Sequence, residues 1–153
     1  VTDMYAMFYS SDSFNADINS WNVSSVSRMK GMFQGADSFN TNLDTWDVSN
    51  VTYMQYMFKN ATLFNEDITT WDMGKVTHAE SMFFEAEAFN QDISAWNVSS
   101  VTTFKDFFSG ASSFNRDLSN WNTSSKNDGA TTSTWTNSGM DGYTDHYPDD
   151  WED

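Results

Sequence analysis

Every 25 residues this chain starts again, and it does so five times without gaining or losing a residue between Val1 and Ser125. Val1, Val26, Val51, Val76 and Val101 open the units. Phe8, Phe33, Phe58, Phe83 and Phe108 fill position 8, and a Phe-Asn pair fills positions 14 and 15 from Phe14-Asn15 to Phe114-Asn115. Trp21, Trp46, Trp71, Trp96 and Trp121 fill position 21. A fixed period of this length marks a solenoid, in which no unit can bury its apolar side alone and stacking completes the core. Such stacks expose long, regular surfaces, and their ordinary work is contact rather than chemistry.

Composition narrows the partners. The 13 Phe, 7 Trp and 9 Met supply a core, which sets the chain apart from disordered acidic tails. A formal charge of −15 argues against nucleic acid, whose phosphates need clustered Lys and Arg, and against an anionic membrane surface. Without cysteine there is no disulfide framework, thiolate metal site or Cys nucleophile. No run of about 18 apolar residues is present, so membrane insertion is not expected. No signal peptide stands at Val1, and the chain opens on the first residue of a unit without Met, which reads as a processed or excised form.

Within the second unit, Val26, Met29, Met32, Phe33 and Ala36 recur at spacings of three, four and seven, the pattern of one face of a short helix. Ser25 or Ser27 is placed to cap it and Gly35 to end it, as Gly110 would in the fifth unit. Leu43-x-x-Trp46-x-Val48 reads as a short strand with Trp46 and Val48 inward. The expected fold is therefore α/β, a leucine-rich-repeat-like solenoid of five strand-plus-short-helix coils over 1–125 with an irregular C-terminal cap over 126–153. Close-set strands beside wider helices would make it curve.

Few residues invite chemistry. Asn at position 15 and Asp17, Asn42, Asp67, Asp92 and Asp117 at position 17 read as turn residues laddering between coils. A calcium row is the alternative, but Asn42 interrupts it and no EF-hand glycine loop accompanies it. The Trp row and the Met row (Met4, Met29, Met54; Met7, Met32, Met57, Met82) read as core, since Ala79, Phe104 and Phe107 substitute for Met at equivalent places. His78 reads as solvated, and His146 lies in an acidic tail. No Ser-His-Asp set, phosphate loop or zinc spacing is found, so no enzyme activity, metal or cofactor is expected. The outward positions, Ser20/Asn22/Ser24 and their counterparts, form a polar field on the expected concave strand face. Asn22, Asn50, Asn60, Asn97 and Asn122 begin N-x-S/T sequons, candidate glycosylation sites in a secretory host.

The string V-T-x-M-x-x-M-F-x-x-A-x-x-F-N-x-D-I-x-x-W-x-V-S resembles the repeat of the BspA-like bacterial surface proteins. Val51-Thr52-Tyr53-Met54 with Met57-Phe58, and Phe89-Asn90-Gln91-Asp92-Ile93 with Trp96-Asn97-Val98-Ser99, carry it most closely. The resemblance covers 1–125 and implies an extracellular or cell-surface protein of leucine-rich-repeat type, often linked to adhesion and to host or matrix contact. It supplies no catalytic residues, and 126–153 has no counterpart in it.

The two ends differ. Nothing polar precedes the first coil, so Val1, Met4, Phe8, Ile18 and Trp21 form an open apolar end with a bare backbone edge, and such edges recruit further chain. Residues 126–153 carry the apolar anchors Trp135, Met140, Tyr143, Tyr147 and Trp151 among seven acids and one Lys, Lys126. This segment folds over coil five as a cap, or its Trp135, Tyr143, Tyr147 and Trp151 reach the open coil of another molecule, a head-to-tail contact that yields a filament. The expected function is a non-catalytic extracellular structural or adhesive module that self-associates or contacts surface and matrix proteins. The alternative is a carbohydrate-binding module that takes glycans on the polar concave face.

Overall fold

The computed structural model describes residues 1–127, 133–140, 146–148 and 151. Each unit is a succession of β-turns. In the second, Met32, Gln34 and Ala36 donate their N–H groups three residues back, to the carbonyls of Met29, Gly31 and Phe33. The residues between them, Met29, Gly31, Phe33 and Gly35, donate forward to Tyr53, Gln55, Met57 and Lys59 of the next unit at 2.8–2.9 Å. Alternate N–H groups thus close turns within a coil and bind the coil above. The arrangement recurs along the chain, with Phe8 bonded to Met32, Phe58 to Met82 and Phe83 to Phe107.

Positions 6 and 10 carry the geometry. Ala6, Gly31, Tyr56, Ser81 and Asp106 at the first, and Ser10, Gly35, Asn60, Glu85 and Gly110 at the second, all adopt φ between 51° and 76°. Each is the third residue of a turn, the place where a type II turn requires left-handed backbone. Glycine meets that requirement without cost, and the bulkier residues are held there by the stack.

This overturns the expected α/β strand-plus-helix architecture. Among the described residues no α-helix and no extended strand forms, and pairing of the strand type is limited to isolated parallel bridges Asp3↔Arg28, Arg28↔Tyr53 and Tyr53↔His78. The reason is an accounting of N–H groups. An α-helix over 26–36 would commit its interior donors four residues back and leave none for the neighbouring coil. Gly35, expected to stop a helix, is instead a left-handed turn position, as is Gly31. The expected strand at 43–48 is two turns, closed by Trp46 N–H to Leu43 O at 3.1 Å and by Val51 N–H to Val48 O at 2.9 Å. Asn42 Oδ1 accepts from Asp44 N–H, and Asp47 Oδ1 from Ser49 N–H, so side chains occupy donors that a sheet would have used. The same motif recurs at positions 17 and 22 throughout, as in Asp67 to Thr69 and Asn97 to Ser99. The polar field expected on a concave strand face therefore sits on turns.

Aromatic columns form the core. Neighbouring position-8 rings, from Phe8–Phe33 to Phe83–Phe108, lie 5.6–5.8 Å apart and nearly parallel. The position-14 column repeats at 5.7–6.1 Å, and within a unit the two columns touch at 3.8–4.0 Å. The two columns rise by nearly the same step. Each buried indole donates to the position-18 carbonyl one coil earlier: Trp46 to Ile18, Trp71 to Leu43, Trp96 to Ile68 and Trp121 to Ile93, at 3.1–3.2 Å. The carboxamide oxygens of Asn15, Asn40, Asn65 and Asn90 each accept the N–H of the next position-15 asparagine at 2.8–3.1 Å.

Residues 133–137 continue the pattern as part of a sixth coil, displaced by two residues. Ser133 and Asn137 are left-handed and four apart, as positions 6 and 10 are. Phe108 and Gly110 donate to Thr134 and Thr136 at 3.0 and 2.8 Å, and Trp135 takes the phenylalanine place, stacking on Phe108 at 5.1 Å. Tyr147 then stacks on Trp135 at 4.5 Å, repeating the pairing within a unit.

Candidate functional site

In the first coil, apolar positions that are buried in later coils are exposed. Val1, Tyr5, Met7, Tyr9 and Trp21 are exposed and Phe8 and Phe14 are partly buried, whereas their counterparts in the third unit from Met57 to Trp71 are nearly all buried. Met4 and Ile18, expected to be uncovered here, are buried by their own unit and the second coil, at 5% and 3% exposure. In units two to four the carbonyls of positions 3, 5, 7 and 9 receive N–H groups from the coil before, and in unit five those of positions 5, 7 and 9 do. In the described structure those of Asp3, Tyr5, Met7 and Tyr9 receive none.

Trp135, Tyr147 and Trp151 lie at the opposite end, buried against coil five. Trp151 meets Phe104 at 4.8 Å and donates its indole N–H to Thr123 Oγ1 at 3.0 Å. Their rings are thus engaged within the chain. Tyr143 lies outside the described residues. What this end offers outward is backbone. The N–H groups of Ser133, Trp135 and Asn137 correspond to positions 6, 8 and 10, which elsewhere donate forward, and among the described residues they find no acceptor. Donors at one end therefore match acceptors at the other in kind and spacing. Residues 133 and 137 were missed as part of this site because their left-handed backbone leaves only a faint trace in sequence, a small polar residue on either side of an aromatic.

Of the sequon residues, Asn50 Nδ2 donates to Ser24 O at 2.9 Å and Asn60 Nδ2 to Glu85 Oε2 at 2.6 Å, so the nitrogen that would carry a glycan is already engaged. Asn22, Asn97 and Asn122 are exposed and use Oδ1 on Ser24, Ser99 and Ser124, leaving Nδ2 outside those bonds. His78, expected to be solvated, is half-buried, with Nδ1 2.8 Å from Thr77 Oγ1 and its ring 5.1 Å from Tyr53. Hydrogen bonds from the side chain and backbone of Ser49, Ser94 and Ser119 hold the carboxyls of Asp47, Asp92 and Asp117 below the ordinary value. The backbone and hydroxyl of Thr69 do the same for Asp67. Among the described residues no three His, Cys, Asp or Glu side chains gather where a metal ion would fit. These carboxylates serve turns.

The fold defines a class, a repeat protein of stacked turns. A family model matches residues 1–88 and again 65–132. The chain belongs to that family, described as Mycoplasma protein of unknown function, DUF285. No curated protein and no solved structure matches the chain.

Proposed function

We propose that this chain is a non-catalytic extracellular structural or adhesive repeat protein, of the BspA-like surface type, that joins copies head to tail. One observation carries the reading: coils are joined by the N–H groups of positions 6, 8 and 10 bonding the carbonyls of positions 5, 7 and 9 of the next coil, and among the described residues the N–H groups of Ser133, Trp135 and Asn137 hold those same positions with no such bond. A second molecule seated on the first coil would extend both the turn ladder and the phenylalanine columns. Its contact would cover Trp21, which is 38% exposed, as Trp46 is covered at 3%. A heterologous contact of this kind that does not close into a ring gives a fibre. The charge of −15 opposes association, so added salt should favour it.

Light scattering on the purified chain at increasing concentration and salt tests the proposal. Mass should rise with both, and Trp21→Lys, which puts a charge where a ring must stack, should return the protein to a monomer. A constant monomer mass up to the solubility limit would exclude end-to-end joining.

A further inference from the structure

Five units share one backbone, but a few positions change in every copy. Position 3 is Asp3, Arg28, Tyr53, His78 and Thr103; position 6 is Ala6, Gly31, Tyr56, Ser81 and Asp106; position 9 is Tyr9, Gln34, Lys59, Phe84 and Ser109. The turns place positions 5, 6 and 9 of adjacent coils side by side. Where the first three coils meet on this face, Tyr5, Tyr9, Lys30, Gly31, Gln34 and Tyr56 line a cleft of about 370 Å³. That volume lies within the range of small-ligand sites.

Its chemistry is specific. Gly31 is the unit's left-handed position without a side chain, and it leaves the floor open; a Cβ there would meet only Gln34, at 3.3 Å. Tyr5 and Tyr9 are more than half exposed although they flank the cleft. Lys30 Nζ stands 5.4 Å from the centre of the Tyr56 ring. Arg28 is paired with Asp3 at 3.5 Å, whereas among the described residues Lys30 makes no ion pair. The Lys30 ammonium therefore stands beside the Tyr56 ring with no carboxylate paired to it among the described residues, and it is available to an anion. Phenol faces offer the apolar contact that the C–H side of a pyranose takes, and the Gln34 carboxamide and tyrosine hydroxyls offer hydrogen bonds to its hydroxyl groups.

We propose that this cleft binds an acidic sugar, a pyranose bearing a carboxylate, with the ring on Tyr5, Tyr9 and Tyr56 and the carboxylate on Lys30. The cleft shares Tyr5 and Tyr9 with the first coil, but it would hold its ligand with side chains whereas end-to-end joining uses backbone, so Trp21→Lys, which breaks joining, should leave glucuronate binding unchanged.

The test is an NMR titration of the ¹⁵N-labelled chain with sodium glucuronate, with glucose and with sodium acetate, each up to about 20 mM, the weak end of small-ligand affinity. Glucuronate should shift the amides of Gly31, Gln34 and Tyr56, glucose should bind roughly threefold more weakly, and acetate should shift none of them. Tyr9→Ala should weaken glucuronate about fivefold to tenfold. That residue is exposed, so its thermal midpoint should stay at the wild-type value and an effect on binding is not an effect on folding. Lys30→Met should abolish the preference for glucuronate over glucose. Absent shifts with glucuronate, equal shifts with acetate, or a preference that survives Lys30→Met would each overturn the proposal.

Discussion

Phe8 and Phe108 hold the same place in their units, and so do Trp21 and Trp121, yet the later residue of each pair is buried and the earlier is not. The first coil has neighbours on one side only. The fifth is covered by Trp135, Tyr147 and Trp151, which resemble the repeat in geometry but not in sequence. Burial in such a stack is a property of adjacency, and the same side chain is core or surface according to what lies on its far side. The covered end shows what a lid needs: two left-handed residues four apart and an aromatic between them.

The largest expected effect breaks the comparison directly. Phe108→Ala removes a fully buried ring and should cost about 3–5 kcal/mol in urea unfolding, whereas Phe8→Ala should cost about 1–2 kcal/mol because Phe8 is only partly buried. Equal losses would show that adjacency does not set burial. Trp135→Ala comes next, at about 3 kcal/mol. Hydrogen exchange should find the amides of Phe108 and Gly110 newly exposed while that of Phe58 stays protected, since coils couple chiefly to their neighbours. Trp121→Phe removes the indole bond to Ile93 O, which keeps the N–H of Trp96, and should cost about 1 kcal/mol, against little for Trp21→Phe, whose indole makes no such bond among the described residues. Asn65→Ala deletes the acceptor of Asn90 N–H, for about 1 kcal/mol, whereas Asn115→Ala, last in its ladder, should be nearly neutral.

Acid gives the smallest effect. The carboxyls of Asp47, Asp67, Asp92 and Asp117 lie below the ordinary value of 3.8 in the folded chain, so their contribution is fully present above that pH. It is lost as pH falls through the depressed values. Stability should decline below about pH 4, and Asp67→Asn, which keeps an acceptor oxygen but no titrating group, should flatten the decline in acid-titrated thermal melts.

The period, the inward residues and the asparagine ladder were legible in sequence because they depend only on which side chains recur. The backbone class was not. Consecutive turns place Val26, Met29, Met32, Phe33 and Ala36 inward at the spacings a helix would, so the apolar pattern is shared by both structures. The distinguishing trace lies at positions 6 and 10, where Gly31, Gly35, Asn60 and Gly110 are turn formers, but Tyr56 and Glu85 in the same places obscure it. Likewise Asp or Asn two residues before Ser or Thr marks turns at positions 17 and 22, a signal masked by the Ile-x-x-Trp-x-Val alternation. The open end was legible as apolar, but its row of carbonyls was not, since backbone acceptors leave no mark in side-chain identity.

The alternation of N–H groups along each coil also makes the molecule's length quantised. One extra residue between positions 4 and 10 would swap the two sets of donors, pointing inward those that grip the next coil and outward those that close turns. A stack of this kind can lengthen or shorten only by duplicating or deleting whole 25-residue modules. The displacement of Trp135 beyond Ser125 obeys the same rule, because a shift of two residues leaves the alternation intact, with Phe108 and Gly110 still bonding forward.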